Sequence, residues 1–549
     1  MNKKTLGILL VVPVLLIVSF ILDYIFLPAW NLQSFNFWMI LAVGVVIVLS
    51  LGAVFFQAKK VMTVSWTAGG VIFLIALVAS VGSWLFWPGN DILLSKLLPI
   101  TEFDGASFSK DFPGASLTST EGNTILLPSL DKELSIKIAQ GKLGPYGAQF
   151  QMDPDIFTSV NVIRDKNQQM VRISPLDYSG FMVALSSGSK GTPGYLEVAQ
   201  GTGEGRLVPV EGGMKYTPGA LFNYDLARHL RFTYRTALFG GWNFEIDDAG
   251  NPWWVVPVME NRAGLFAGSE IIATVLVNPI SGESAYYIKG TEPVWVDRVV
   301  PSELVLEQAN NALSLKNGWF NQILGEKKEV FQLSDGYNYI STVDGLEGKT
   351  WLISGITSPN EADQTVIGFL MVDLKTKEAR RYSLTGITEM RAMEIAQNDE
   401  RVRAQALTPT WPIVMEVQGT PAYFLMLKND VQRQRFALVD VANGTLVAMA
   451  DNLSDCQTQF AGMMGVTSLD QENLLTVDGI VSRVRDNYDG TSSFLLAGDP
   501  ANRYIVNNTQ SNGILFMSPG DNVVITYRTQ LAVKNQRLVV ELRNVSIGE

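Results

Sequence analysis

Apolar positions fall in three long runs at the start of the chain and in short alternating runs through the rest. Leu6–Leu27, Phe37–Gln57 and Val61–Trp87 are each about 20 residues or longer and lack internal Lys or Arg. As helices rising 1.5 Å per residue, such runs could cross ~30 Å of hydrocarbon, and they predict three N-terminal transmembrane helices. Lys3 and Lys4 precede the first run, Lys59 and Lys60 separate the second from the third, and Pro28–Asn36 carries neither Lys nor Arg. Positive charge is retained on the cytoplasmic side, so the expected topology has a cytoplasmic N-terminus and everything beyond about residue 90 outside. Asp23 is expected to reach headgroups or water, with Trp30, Trp38, Trp84 and Trp87 at the interfaces. A cleaved signal peptide is disfavoured, since no small-x-small site follows the first run. Nothing polar lines the runs, so they read as an anchor rather than a transport path.

Beyond residue 90 the period changes. Residues 91–128 carry turn residues (Gly105, Pro113-Gly114, Gly122) and read as a stalk. Four hairpins then look alike: Gly194–Val210, Thr274–Ile288, Gly368–Leu384 and Phe436–Met449, each an apolar strand, a short polar turn and a second alternating strand. Helices are expected between them: Tyr224 to about Phe239 capped by Asn223, Glu303 to about Leu315 capped by Ser302, Thr388–Ala404, and Leu453–Met464 capped by Asn452. The recurrence suggests duplicated modules of roughly 80–100 residues, antiparallel sheets with helices on one face. From Leu474 onward, five alternating segments in about 75 residues suit a small closed barrel of the OB type. The predicted class is α+β: an anchor over 1–90, a stalk over 91–128, sheet-plus-helix regions over 129–300 and 301–470, and an OB-like barrel over 471–549.

Composition narrows the chemistry. Charged residues are 17%, against a typical ~25%; residues 1–94 carry four Lys and two Asp, so the net charge of −11 divides into +2 there and −13 beyond. An acidic surface repels nucleic acid and anionic headgroups. One cysteine, Cys456, precludes an internal disulfide, and with one histidine, His229, multi-His and Cys-His metal sites and an HExxH protease are excluded by count. No P-loop, dinucleotide-binding or kinase motif is present, and no GxSxG elbow accompanies His229. No cofactor or metal is expected.

LARHLRF (Leu226–Phe232), NFEIDDAGNPWWVVPV (Asn243–Val258), SGESAYYI (Ser281–Ile288), PVWVDRV (Pro293–Val299) and GTPAYFLMLK (Gly419–Lys428) resemble stretches of uncharacterised Gram-positive membrane proteins labelled CvpA-like or cell-shape-determining. The helix-plus-hairpin units also resemble PepSY-type modules. These resemblances imply an extracytoplasmic, membrane-anchored protein with a binding role and bring no catalytic residues with them.

Two groups of binding residues stand out. Arg228, Arg231 and Arg235 share a face of the predicted 224–239 helix and could hold an anionic cell-wall polymer, or simply pair with the chain's own carboxylates. Trp253, Trp254 and Trp295 could stack on sugars or a partner protein, although adjacent Trp253 and Trp254 on a strand must point to opposite faces, one of them into the core. Asp247, Asp248 and Asn251 could offer oxygens to Ca²⁺ but equally make a hairpin turn. In the terminal barrel Arg483, Arg485, Arg503 and Arg528, with Tyr488, Phe494, Tyr504 and Tyr527, could meet bases. The reading that follows is a non-enzymatic binding or scaffolding protein of the bacterial cell envelope. Its expected partners are the lipid bilayer and an envelope protein or anionic polymer. The alternatives are an enzyme acting on cell-wall polymer through paired carboxylates, and a nucleic-acid transfer component using the barrel.

Overall fold

A computed structural model describes residues 13, 17, 19–55, 64, 67–78, 90–111, 115–116, 124–164, 167–187, 189–344, 347–360, 364–429, 434–464, 474–487, 491–508, 514, 516–528 and 536–547. Its centre is one structural unit used four times. A helix leads, a first strand broken into two short segments follows, and three further strands complete an antiparallel meander. In unit 1 the helix Lys132–Gly141 precedes Phe150–Met152 and Thr158–Arg164, both paired with Asn167–Tyr178, then Thr192–Ala199 and Gly205–Met214. Unit 2 has Leu226–Thr233, then Leu238–Phe239 and Asn243–Ile246 on Pro252–Ala263, then Ala267–Val277 and Ser284–Ile288. Unit 3 has Ser302–Ser314, then Gln332–Leu333 and Asn338–Asp344 on Glu347–Thr357, then Thr365–Asp373 and Ala379–Ser383. Unit 4 has Glu389–Asn398, then Thr408–Pro409 and Ile413–Val417 on Thr420–Lys428, then Gln434–Asp440 and Val447–Ala450.

The four hairpins share one turn. Its positive-φ position is Gly203 (φ 76°), Gly282 (78°), Lys377 (66°) and Gly444 (71°), and each donates its amide to the carbonyl four residues back, at 2.9, 2.9, 2.9 and 3.2 Å. In units 2 to 4 an Asn or Asp opens the turn. The carboxamide or carboxylate of Asn278, Asp373 and Asp440 accepts amides from inside the loop, such as Ile280, Lys375 and Asn443. Glycine enters the left-handed region at little cost, which explains three of the four.

Matched element by element, units 1–2 and units 3–4 are copies in sequence as well. Glu133, Leu134 and Ala139 stand where Glu303, Leu304 and Ala309 stand. Gly194, Leu196, Val198, Thr202, Glu204 and Arg206 match Gly368, Leu370, Val372, Thr376, Glu378 and Arg380. The pattern Ala-Leu-x3-Trp-x7-Gly-x-Pro occurs at 237–252 and again at 406–421. The matched helix residues face inward in both copies: Leu134 and Leu304 are both 8% exposed, Ala139 and Ala309 fully buried.

Successive sheets share cores. One face of sheet 1 packs on sheet 2 through Val171, Tyr195, Trp254 and Val275. Sheet 2 meets sheet 3 and the helix Ser302–Ser314 through Val255, Leu276, Leu352 and Leu370, and sheet 3 meets sheet 4 through Phe369, Met371, Tyr423 and Leu438. Stacked sheets lie ~10 Å apart, so a straight stack would hold unit 4 about 30 Å from unit 1. Instead Lys428 of unit 4 bonds Asp131, the N-cap of the first helix, and Glu133 (2.7 Å), and strand Thr158–Arg164 touches Glu347–Thr357. The units therefore curve into a ring.

Residues read as a stalk belong to sheet 3: Ile100–Asp104 pairs in parallel with Ala379–Ser383, and Thr124–Leu126 pairs with 341–343. Helix Leu453–Met463, capped by Asn452, closes the core of unit 4 and touches the terminal strands. There Leu474–Asp486 pairs with both Thr491–Leu496 and Asn522–Arg528, Asp499–Asn507 pairs in parallel with Gln536–Asn544, and the five strands close on themselves.

The three-span expectation is corrected. Among the described residues no helix is long and apolar enough to cross a membrane. The middle run is the helix Phe35–Phe55, and helical residues of the first and third runs lie at 19–26 and 67–78. Much of the first and third runs, with Lys3, Lys4, Lys59, Lys60, Trp84 and Trp87, lies outside the described residues. The cell-membrane placement and its inside-outside topology rested on three complete spans, and they are corrected with them. Asp23 is not turned to headgroups: it pairs with Arg235, while the Trp30 amide bonds the Arg235 carbonyl (2.9 Å) and Gln33 exchanges bonds with the Asn261 backbone (3.0 and 2.9 Å). A hydrophobic run read alone carries no information about such docking.

Candidate functional site

The basic helix face is real but occupied. The helix is Leu226–Thr233, capped by Asp225, so it is shorter than the predicted 224–239 and Arg235 lies beyond its end. Arg228 lies 4.2 Å over the Tyr24 ring and donates to the Phe222 carbonyl (2.6 Å). Arg231 donates to the Ala237 carbonyl (2.7 Å) and covers Phe239; burial, with Arg235 nearby, lowers its pKa to about 10. Arg235 holds Asp23 and lies 4.2 Å over Phe232. Arg228 and Arg235 dock the chain's own N-terminal segment, and Arg231 ties down the loop that follows its helix. His229 on the same helix bonds the Gly282 carbonyl (2.8 Å), fixing the helix to the unit 2 turn.

The tryptophans divide as strand alternation requires. Trp254 is fully buried and donates to the Tyr216 carbonyl (2.8 Å). Trp253 faces the other way, half-buried, 5.8 Å from half-buried Trp295, with its indole N–H on Asp247 (3.2 Å). Asp247 also accepts the Ala249 and Asn251 amides, so its oxygens organise a turn. Among the described residues no group of three or more His, Cys, Asp or Glu is placed to hold a metal ion. In the terminal domain Phe494, Tyr504 and Tyr527 are buried in its core, and Arg483 and Arg485 stand exposed without them. Cys456 is buried, and burial pushes its thiol up to about 12, far from a reactive thiolate.

Unit 3 carries a groove of about 740 Å³. Leu306, Asn310 and Ser314, four residues apart on the helix Ser302–Ser314, form one wall, because that spacing keeps side chains on one helical face. The short helix Gly318–Ile323 and the following loop give Gln322, Ile323 and Lys327 opposite. Strand Gln332–Leu333 is the floor, held by the Leu333 amide donating to Asn310 (2.9 Å). Asn317 and Asn321 tie the loop by donating to the Lys328 carbonyl (3.0 and 2.9 Å), Asn321 also accepts the Lys328 amide (3.1 Å), and Lys327 and Glu329 sit at φ 53°. Phe320, Ile323 and Leu324 are 66%, 52% and 67% exposed beside it.

Tyr337 lines one end of the groove and stands edge-on to Tyr339, 5.6 Å away. Behind them, Arg298 donates to the Tyr339 hydroxyl (3.2 Å) and to Ser302 (3.1 Å), its guanidinium 4.4 Å over the Tyr339 ring; Ser302 and Tyr339 share a 2.7 Å bond. Burial alone would raise the Tyr339 phenol, but the Arg298 charge and these bonds outweigh it and lower it; Tyr337 is raised by burial and by its neighbour. Below, fully buried Glu245 accepts the amides of Asp297 and Arg298 (2.9 Å each), yet burial still pushes it up to about 7. Buried carboxylates recur at the seams. Asp177 accepts from Thr217 (3.1 Å) between units 1 and 2, and Glu389 accepts from Ser334 and the Gly355 amide (2.8 Å each) between units 3 and 4. Burial raises both. A Cβ on Gly355 would come within 2.3 Å of Glu389, so that glycine makes room for the carboxylate.

Of this cluster the sequence singled out only Ser302, as a helix cap rather than a site residue; the helix takes Pro301 as its cap and Ser302 as its first residue. PVWVDRVVPSE offers Arg298 and Ser302 and GYNY offers the tyrosines, but they lie some 40 residues apart and meet only across the seam between units 2 and 3.

No family model matches the chain, and no curated protein matches it. Among solved structures, a mutant of the Synechocystis apocarotenoid oxygenase aligns at 11% identity over 56% of this chain and 64% of that one, with a TM-score of 0.15. This chain therefore spans less than two thirds of that protein's length, and the likeness is too slight to inform fold or function.

Proposed function

We propose that this chain is a non-enzymatic binding or scaffolding protein whose ring of four units presents the unit 3 groove to an extended segment of a partner protein. The groove carries the reading: pinned walls on two helices, a strand floor with mixed polar and apolar lining, and apolar Phe320, Ile323 and Leu324 beside it. Grooves of this size with a few convergent polar groups suit peptide segments. An anionic polymer is a poorer fit, since Arg228, Arg231 and Arg235 are engaged within the chain. A carboxylate-based hydrolase is likewise less supported, because Asp177, Glu245 and Glu389 accept bonds across unit seams.

The test is a photocrosslinking residue in place of Gln322 in the full chain, expressed in its native cells. The expected result is one discrete crosslinked protein that disappears when Ile323→Asp and Leu324→Asp are added, with the unfolding temperature unchanged. No discrete crosslink, or one indifferent to the two aspartates, overturns the reading.

A further inference from the structure

The last strand of each unit lies at the rim of its meander, and an open strand edge is a template for pairing with another chain. Three of the four rims are closed, each in its own way. In unit 3, Ile100–Asp104 lies along Ala379–Ser383. In unit 4, the Val447 carbonyl accepts from Arg401 (3.5 Å) and the Met449 amide donates to Gln459 (3.3 Å). In unit 1, the Glu204 carbonyl turns inward to accept the Ala199 amide (2.9 Å). Alternation then turns Pro209 outward, where it offers no donor, and Gly212 and Gly213 bend the same strand at φ 81° and 68°.

The rim of unit 2 lacks these devices. Among the described residues, Ser284–Ile288 pairs with Ala267–Val277 and with no other strand. Its sequence, Ser-Ala-Tyr-Tyr-Ile, carries no charge, proline or glycine. The Glu283 carbonyl accepts the Asn278 amide (2.9 Å) and the Lys289 amide bonds the Ile272 carbonyl (3.1 Å), so these two positions face inward. Between them, alternation turns the amides and carbonyls of Ser284, Tyr286 and Ile288 to the open edge. The Ile288 carbonyl is taken by Thr291, which ends the ladder there. Tyr286 and Ile288 are 47% and 67% exposed on the same face.

The charges at the two ends of this strand choose its partner. An antiparallel copy of the same edge, turned about Tyr286, sets Tyr286 against Tyr286, Ser284 against Ile288, and Glu283 against Lys289 at both ends. The two Tyr286 residues exchange their amide and carbonyl bonds, and each Ile288 amide meets a Ser284 carbonyl. Glu283 is exposed. Lys289 shares Glu270 with Lys377, so two ammonium groups there have one carboxylate between them and gain from a second. Opposite charges facing across strands favour the pairing, and like charges oppose it.

We propose that a second copy of this chain pairs edge to edge with unit 2 about a twofold axis at Tyr286, joining the two copies of that sheet into one. A contact that uses the same patch on both copies closes as a dimer. It does not use the unit 3 groove, so it stands apart from the groove's occupant.

The test follows the mass of the full chain by sedimentation equilibrium as its concentration is raised. The expected result is a passage from one chain to two. Tyr286→Lys sets two lysines face to face at the axis and should weaken association about tenfold or more, with the unfolding temperature of the single chain unchanged. Glu283→Lys and Lys289→Glu each place like charges at both ends and should weaken it as well. Mixed together, these two variants again set opposite charges at both ends and should associate as the wild type does, a recovery that misfolding of either cannot produce. A single chain at every concentration, whether the edge stays bare or is taken by a different protein, overturns the proposal. So does a dimer indifferent to Tyr286→Lys, or a mixture that associates no better than its two components.

Discussion

Units 1 and 3 carry nearly the same hairpin, yet they differ at its tightest point. Gly203 occupies the positive-φ position in unit 1, as Gly282 and Gly444 do in units 2 and 4, while unit 3 places Lys377 there at φ 66°. Lys377 is buried. Its ammonium bonds the Leu97 carbonyl (2.8 Å) and Glu270 of unit 2, which also holds Lys289 (3.0 Å). The two copies keep the residues that pack their own strands and diverge where they face different neighbours. Gly203 faces Leu130 of its own unit, whereas Lys377 fastens unit 3 to unit 2. A left-handed lysine is tolerated because the contact it reaches offsets the backbone cost of about 1 kcal/mol.

The comparison can be broken most severely at its shared core. Trp254 of unit 2 corresponds to Tyr423 of unit 4. Both are fully buried and both reach a backbone carbonyl, Tyr423 at Ile387 (2.7 Å). Trp254→Ala should cost about 3–5 kcal/mol by chemical denaturation, and Tyr423→Phe, which removes only the hydroxyl bond, about 1–2 kcal/mol. A Tyr423→Phe loss as large as that of Trp254→Ala would mean that the hydroxyl bond to Ile387, and not ring burial alone, holds the core of unit 4.

Glu245 in unit 2 and Glu416 in unit 4 sharpen the comparison through pH. Burial pushes each up to about 7 from an ordinary 4.5. Between those values the folded chain binds more protons than the unfolded chain, so stability falls as pH rises from about 4.5 to 7. Each pH unit is worth ~1.4 kcal/mol, which bounds each group's contribution at about 3 kcal/mol. Glu245→Gln should flatten its share of that slope in unfolding measured from pH 4.5 to 8; an unchanged slope would mean that Glu245 titrates normally.

Lys377→Gly relieves the turn but removes the bond to Glu270, with an expected net loss of about 1–2 kcal/mol. The reverse change, Gly203→Lys, gains no such partner and should cost about 1 kcal/mol from the backbone alone. If Lys377→Gly proves stabilising, the seam contact is weaker than the strain. The smallest effect is expected at the arginine common to both hairpins. Arg206, largely exposed, pairs with Glu197 (3.1 Å), and Arg206→Ala should cost under about 1 kcal/mol. Arg380, its counterpart, is less exposed and bonds Glu378 (2.7 Å), so its loss should cost more.

Much of this architecture is legible in the sequence at the level of single elements. Alternation located the four hairpins, and the turn residues Gly203, Gly282 and Gly444 marked their bends because only a glycine reaches that backbone region freely. Asn452 and Thr388 announced helices that begin at Leu453 and Glu389. The stretch expected as one helix over Thr388–Ala404 is two, because Asp399 takes an extended backbone and caps a second helix, Glu400–Ala404. The alternation rule also separated Trp253 from Trp254. The candidate site was not legible. Arg298, Ser302, Tyr337 and Tyr339 carry no local signature and acquire meaning only through a seam.

By itself, then, the order of residues determined which segments extend, which coil and where they turn, since these follow from side-chain period, caps and backbone freedom within a few residues. It also determined that the unit recurs. Only the tertiary structure decided that the recurring sheets curve until unit 4 meets unit 1, that Arg228 and Arg235 grip the chain's own N-terminal segment, and that Glu245, Arg298 and Tyr339 meet at one buried seam. Those outcomes depend on which faces meet far apart along the chain, and on the cost of burying charge there, neither of which any local pattern encodes.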